Sequence, residues 1–311
     1  MYREKINEMI AVLNSVILGK EEVIKEVVTV LLSGGHILLE DAPGVGKTTL
    51  ALALSRVMDI ESKRVQFTPD VMPSELTGFS IYRKDIEKFV YREGAVFCNL
   101  LLADELNRTS PKTQSALLEV MEEKQVSVEG VTRKLPSPFF VIATQNPYGT
   151  GVQELPLPQM DRFMASMSLG YPGFESEMEI AAQASFDRRV DNVQPVINSE
   201  IIFGIMKETE RIYIDKKICE YIVKLVRATR DNEYIEMGAS PRGTIALVKL
   251  CKTSAWLKGK SFVTPNDVDE QYFYAIKHRI LLNSKSRFEN ISRTEVLYDI
   301  MNNVKKPLPS R

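Results

Sequence analysis

Asp41-Ala42-Pro43-Gly44-Val45-Gly46-Lys47-Thr48 joins two segments of opposite character. Before it, His36-Ile37-Leu38-Leu39 is a short apolar run of the kind that forms a buried parallel strand. After it, Thr49-Leu50-Ala51-Leu52-Ala53-Leu54 is rich in good helix formers. The joining stretch matches the phosphate-loop pattern G-x-x-x-x-G-K-(S/T) except at its first position, where Asp41 stands in place of glycine. Gly44 and Gly46 let backbone N–H groups curl round a phosphate with no Cβ in the way. The helix that follows starts at the phosphate, and its N-terminal dipole favours an anion there. Lys47 offers a point charge to β- and γ-phosphates, and the Thr48 hydroxyl is a Mg²⁺ ligand. Pro43, Gly44, Val45, Gly46, Lys47, Thr48 and Thr49 are therefore the expected nucleotide-binding residues.

Working outward, Asn99-Leu100-Leu101-Leu102-Ala103-Asp104-Glu105 is a second apolar strand that ends in two carboxylates. Ligands of an open α/β sheet sit at the C-terminal ends of its strands. Asp104 is placed to hold Mg²⁺, directly or through water, and Glu105 to act as general base on the attacking water. Further short strands are expected over residues 64–67, 139–143 and 163–169, with helical segments between them, the clearest at 112–123. Strands alternating with helices argue for a parallel α/β sheet. Residues 2–32 read as two helices parted by Gly19-Lys20. Residues 79–91 and 125–135 read as hairpin inserts, the second turning at Glu129-Gly130. From about residue 191 the strands largely stop. Helices are expected at 199–210, 215–229, 241–257, 265–278 and 294–304, and Ser240-Pro241 and Thr264-Pro265 mark two helix starts. Hence the expected division is an α/β domain over 1–190 and a smaller helical domain over 191–311, with a frayed tail at 305–311.

Composition narrows the function classes. The chain has 311 residues, 44% apolar and 26% charged, which is ordinary globular composition and enough for two domains. A formal net charge of -1 gives no global basic excess for nucleic acid. Cys98, Cys219 and Cys251 include no C-x-x-C pair and read as buried thiols of a reducing compartment. There is no apolar run long enough to span a membrane and no signal-peptide pattern, so a cytoplasmic location is expected. His36 and His278 have no metal-ligand company in the sequence and are assigned no chemistry.

At this point the sequence resembles the MoxR group of AAA+ ATPases over most of its length. The resemblance is carried by Gly34-Gly35-His36-Ile37-Leu38-Leu39-Glu40-Asp41 with the phosphate loop, by Gln66-Phe67-Thr68-Pro69-Asp70, and by Pro73-Ser74-Glu75-Leu76-Thr77-Gly78. It continues through residues 101–108, 110–119 and 139–147, then Asp161-Arg162-Phe163 and Ser240-Pro241-Arg242-Gly243. The fold so implied is an αβα P-loop AAA+ core with a parallel sheet and a C-terminal all-helical lid. By this resemblance Asn146 is the sensor-1 residue, just after a strand that lies between the phosphate-loop strand and the Asp104 strand. Arg162 is the arginine finger that reaches the nucleotide of a neighbouring subunit, and Arg242 is the sensor-2 arginine. Ile17, Leu18 and Gly19 are the segment near adenine. By residue type alone, Asn146-Pro147 is also a turn pair, Arg162 a partner for Asp161, Arg242 a helix-start arginine with structural partners, and Ile17-Leu18-Gly19 a helix break. The segment Pro156-Leu157-Pro158-Gln159-Met160 is shorter than the family's usual wording before the finger.

What the resemblance implies is a ring, expected to be hexameric, that binds ATP and Mg²⁺ and hydrolyses ATP. Its hairpins would pass the motion to a protein client, often a von Willebrand factor A domain partner, in chaperone-like remodelling or maturation. A nucleotide-gated binding module with negligible turnover is a rival that the intact Glu105 speaks against, and two further rivals stay open. Helicase relatives share the first hairpin insert, and Lys84, Lys88, Arg133 and Lys134 in the hairpins leave room for a nucleic-acid motor. Magnesium-chelatase motor subunits share the general plan.

Overall fold

The computed structural model describes residues 2–41, 44–146, 155–182 and 190–307. The chain opens with α1 (Tyr2–Val16) and α2 (Glu21–Leu32), then β1 (Ile37–Glu40) leads through the phosphate loop into α3 (Lys47–Val57). Next come β2 (Ser62–Gln66), the short α4 (Pro73–Thr77), a hairpin of β3 (Gly78–Arg83) and β4 (Lys88–Glu93), β5 (Leu100–Asp104) and α5 (Pro111–Glu123). A second hairpin, β6 (Gln125–Val128) with β7 (Val131–Lys134), precedes β8 (Phe140–Gln145), α6 (Leu157–Met160), β9 (Ala165–Met167) and α7 (Phe174–Ala182). The remainder is α8 (Ser199–Glu210), α9 (Lys216–Ala228), β10 (Ile235–Met237), α10 (Pro241–Leu257), α11 (Pro265–Ile276), β11 (Leu281–Leu282), α12 (Ser284–Phe288) and α13 (Arg293–Asn303).

The main sheet runs in the order β2-β5-β8-β1-β9, with β2–β5 and β5–β8 parallel. All five residues of β5 are buried, which explains its unbroken apolar run, since strands covered on both faces do not alternate. Each buried leucine there contributes roughly 1.5–3 kcal/mol by leaving water. Strand β8 lies between β5 and β1, as the resemblance implied. The expected strand over 163–169 contracts to Ala165–Met167.

By Cα proximity the chain divides into two compact units. One comprises Met1–Lys25, Leu38–Leu155 and Ser168–Ile202; the other comprises Glu26–Ile37, Pro156–Met167 and Phe203–Arg311. The second is dominated by helices. In α9 the buried residues Ile218, Tyr221, Ile222, Leu225 and Val226 repeat at helical spacing and form one apolar stripe. Ser240 caps α10 by accepting the Arg242 N–H at 3.0 Å, with proline at the first helical position. Helix α11 stops at Ile276, two residues short of the expected end, and a 3₁₀ turn, Lys277–Arg279, follows. The ribbon of β10 with β11 is an addition that residue pattern did not announce, because strands of two or three residues carry too little periodicity to read.

Both hairpin inserts are present in full antiparallel register. They touch one another: Ser80 donates to Glu129 at 2.5 Å, and the Arg133 guanidinium lies 3.7 Å from the centre of the Tyr91 ring. The first hairpin leaves Tyr82 49% and Phe89 73% exposed, so it shows aromatic surface to solvent.

Candidate nucleotide site

The loop between β1 and α3 has the backbone its glycines predict. Gly44 sits at φ 86° and Gly46, the N-cap of α3, at φ 92°, a region that side chains with a Cβ seldom enter. A Cβ built on either would meet nothing within 4 Å, so conformation rather than crowding demands glycine, and open space lies above the loop. Pro43 lies outside the described residues. Lys47 begins α3, is only 8% exposed, and donates its ammonium to the Asp41 carbonyl at 3.1 Å. Thr48 and Thr49 follow on the first turn, both partly buried.

Asp41, the departure from the phosphate-loop pattern, has a distinct task. Its buried carboxylate accepts from Ser168 Oγ at 2.6 Å, the Leu169 N–H at 2.7 Å and the Gly170 N–H at 3.0 Å. The backbone carbonyl of this residue serves Lys47, while its side chain ties the loop to the segment after β9. Glycine would lose that second function.

Two strands over from β1, β5 delivers the two acids. Asp104 accepts from Thr144 Oγ1 at 2.6 Å through Oδ1 and from Arg64 at 2.8 Å through Oδ2. Glu105 leaves the strand in the left-handed conformation, φ 56° and ψ 46°. For a residue with a Cβ this costs roughly 1–2 kcal/mol, and such strain persists only where surroundings impose it. Here Thr144 imposes it by accepting the Glu105 N–H at 2.8 Å. The Glu105 carboxylate is held by Gln66 Nε2 at 2.9 Å and Arg108 at 2.9 Å, both on Oε2. Arg64 also donates to Gln66 Oε1 at 3.2 Å. Arginine can only donate and an ionised glutamate can only accept, so Gln66 satisfies both with a single amide orientation.

Thr144, Gln66, Arg64 and Arg108 are thus parts of the site that residue pattern did not single out. Gln66 stands opposite Asp104 in the β2–β5 register, and Thr144 follows directly on the Ala143 that pairs with Ala103 in the β5–β8 register. A buried threonine at the end of an apolar strand was the one available signal. Asn146 lies just beyond β8, and its carbonyl accepts from Asn107 at 3.1 Å. Ile17 is buried at the end of α1, and Gly19 has φ 66° with Ser176 Oγ 2.4 Å from where a Cβ would lie. Glycine at 19 is therefore required twice, by conformation and by close approach.

The other two predicted arginines belong to the second unit. Arg162 follows α6 and is partly buried; Arg242 is exposed on the first turn of α10. Asp161 accepts from Arg279 at 2.8 Å and from Ser240 at 2.7 Å. His278 is buried with Nε2 3.0 Å from the Phe163 carbonyl, and burial holds its pKa well below the ordinary histidine value. Among the described residues no cluster of histidine, cysteine and acids forms a metal site, and no helix is long and apolar enough to cross a membrane.

The residues present fit a nucleotide with its metal. Open space over a glycine-lined helix start suits phosphates, a buried ammonium sits at its rim, and two carboxylates lie on the neighbouring strand but one.

Comparison with known proteins finds relatives over most of the chain. Residues 36–165 match the ATPase family associated with various cellular activities (AAA), and residues 227–300 match the AAA lid domain. The chain is 42% identical to YeaC of Bacillus subtilis, over 95% of this chain and 93% of that protein. It is 35% identical to Chaperone MoxR1 of Mycobacterium tuberculosis, over 94% of this chain and 80% of that protein. A crystal structure of a protein from Cytophaga hutchinsonii superposes with a TM-score of 0.92 at 38% identity, covering 99% of this chain and 96% of the other.

Proposed function

The chain belongs to the MoxR family of AAA+ ATPases, and from that membership and the site's geometry we propose that it binds ATP with Mg²⁺ and hydrolyses it to ADP and phosphate. The single observation that carries the reading is the pairing of a glycine-conformation loop bearing Lys47 with the strained, hydrogen-bonded Glu105.

The working parts follow from what each side chain can do. Backbone N–H groups of residues 44–48 bind the phosphates, and Lys47 turns from the Asp41 carbonyl towards them. Thr48 and Asp104 would hold Mg²⁺, which when bound neutralises charge on the β- and γ-phosphate oxygens. Gln66 and Arg108 both donate to Oε2 of Glu105, so Oε1 is the atom that takes the proton of the attacking water. Asn146 orients that water as sensor 1. Ile17, Leu18 and Gly19 line the adenine. Residues 1–190 act as the core and 191–311 as the lid.

Arg162 completes the nucleotide site of a neighbouring subunit, and Arg242 reads the phosphate as sensor 2. Arginines of this kind contribute roughly 10³–10⁵ in rate in other P-loop enzymes. The assembly is a hexameric ring that works in the cytoplasm. The joined hairpins, with Tyr82 and Phe89 exposed, pass its motion to a protein client, such as a von Willebrand factor A domain partner, in chaperone-like remodelling. A name such as Chaperone MoxR1 for a relative supports that role.

Glu105→Gln tests the chemistry. The variant should bind ATP as tightly as the wild type in calorimetry while turnover falls by roughly 10²-fold or more. Wild-type turnover in that variant would remove Glu105 as the base. Used as bait, the same variant should retain a protein client in the presence of ATP.

A further inference from the structure

A buried guanidinium brackets one of the two proposed catalytic arginines. Arg279 is 3% exposed. Burial pulls its pKa down, partly offset by Asp161, to about 10, so it stays charged at neutral pH and must be paired. Its donors converge on the segment around Arg162. Nε reaches Asp161 Oδ1 at 2.8 Å, Nη2 reaches the Asp161 carbonyl at 3.1 Å and the Phe163 carbonyl at 2.5 Å, and Nη1 reaches the Met164 carbonyl at 3.0 Å. A further bond to the Ala275 carbonyl anchors the guanidinium in α11. Peptide carbonyls on both sides of Arg162 are thus pinned by one side chain.

The same acid reaches the second arginine. Asp161 Oδ2 accepts from Ser240 Oγ at 2.7 Å, and that Oγ accepts the Arg242 N–H at 3.0 Å as the cap of α10. Gly243 permits the approach: a Cβ there would lie 3.1 Å from Arg279 Cδ and 3.1 Å from Ile276 Cδ1. Arg162 and Arg242 therefore sit on backbones joined through Asp161, Arg279 and Ser240.

We propose that Asp161, Arg279 and Ser240 form a clasp whose members are positioning residues: it fixes the backbones of Arg162 and Arg242 against each other, so that the two arginines engage phosphate as one unit. The proposal rests on the reading of Arg162 and Arg242 as nucleotide-sensing residues. A buried ion pair is a weak source of net stability, because desolvation offsets attraction. What it supplies is geometry, and a misplacement of about 1 Å in a catalytic group can cost roughly 10²-fold in rate. A displacement of the first turn of α10 is carried to the Arg162 peptide through two hydrogen bonds.

Arg279→Ala would leave the partly buried Asp161 carboxylate without its cation and three backbone carbonyls around Arg162 without that donor, and is prone to misfold, so the test is made at Ser240, at the rim of the clasp. In the full chain, kcat, half-saturating ATP, ADP affinity and melting temperature are measured for Ser240→Ala, Ser240→Thr and Ser240→Asp. Ser240→Thr keeps the hydroxyl and should retain wild-type kcat. Ser240→Asp keeps a good helix cap but sets a second carboxylate against Asp161. It should lose kcat by roughly tenfold, as should Ser240→Ala, with ADP affinity unchanged. A purely structural role would track melting temperature, in which case Ser240→Asp would stay active. In an Arg162→Ala background, Ser240→Ala should lower kcat by less than about twofold further, because the clasp acts through that arginine. Wild-type kcat in Ser240→Ala, or a fully multiplicative loss in the double variant, overturns the clasp. If Arg162→Ala and Arg242→Ala themselves keep wild-type kcat, the assignment of those arginines fails, and the clasp with it.

Discussion

Thr144 donates its hydroxyl proton to Asp104 across 2.6 Å, and the same oxygen accepts the backbone N–H of Glu105 at 2.8 Å. One hydroxyl on β8 thereby sets the orientation of the expected metal acid and holds the strained turn that presents the expected base. Thr144→Val keeps shape and loses both bonds. It should lower kcat about tenfold or more, raise the half-saturating Mg²⁺ concentration, and destabilise the fold by roughly 1–3 kcal/mol through the buried groups left unpaired. Thr144→Ser should restore all three. Steady-state kinetics at varied Mg²⁺ and denaturant melts check it; wild-type kcat in Thr144→Val would refute the role.

Restoring the glycine of the phosphate-loop pattern should harm this protein. Asp41→Gly removes the acceptor for Ser168 and for two backbone N–H groups, at least one of them buried. The expected loss is about 2 kcal/mol or more of stability with no gain in nucleotide affinity. Thermal melts beside nucleotide titrations decide it, and a variant as stable as wild type would refute the tie.

Gly46 separates conformation from crowding. At φ 92° an alanine is strained although its Cβ would meet nothing in the chain. Gly46→Ala should cost about 1–2 kcal/mol of stability. It should weaken ATP binding well beyond tenfold, since the Cβ projects where phosphate must approach. Unchanged affinity by calorimetry would count against the loop as the phosphate site.

Asp267, buried at the start of α11, tests acid linkage. Its carboxylate accepts from the Thr264 N–H at 2.9 Å, Thr264 Oγ1 at 2.6 Å, Lys258 at 2.9 Å and Lys260 at 2.9 Å. Burial alone would raise its pKa, but the bonds from Thr264, Lys258 and Lys260 outweigh it and hold the group at about 2, against 3.8 for an ordinary aspartate. The unfolded chain takes up this proton more readily than the folded one. The stabilisation, roughly 2 kcal/mol, is therefore complete above pH 3.8 and is lost as pH falls towards 2. Asp267→Asn should be less stable than wild type at pH 7, and the gap should narrow as urea melts are taken from pH 5 to pH 3. A gap independent of pH would exclude the linkage.

Lys47 and the Asp104–Glu105 pair were readable from the chain because their chemistry is local. A strand, a turn of glycines and a helix start are contiguous, and so are an apolar strand and the acids at its end. The helix starts at Ser240 and Thr264 were readable for the same reason: a hydroxyl residue followed by proline acts within one turn.

Thr144, Gln66 and Arg279 were not readable, and Asp41 looked like a flaw in a pattern. Each acts on a residue far away in the chain, and such partnerships exist only once strand order and helix packing are set. Thr144 reaches Asp104 because β8 lies beside β5, Gln66 reaches Glu105 because β2 lies on the other side, and Arg279 reaches Asp161 because the turn after α11 closes on α6. Periodicity and spacing record what a residue does to its own neighbourhood in the chain. Hydrogen bonds between separate strands depend on which strands become neighbours, and folding chooses those through burial of the whole core.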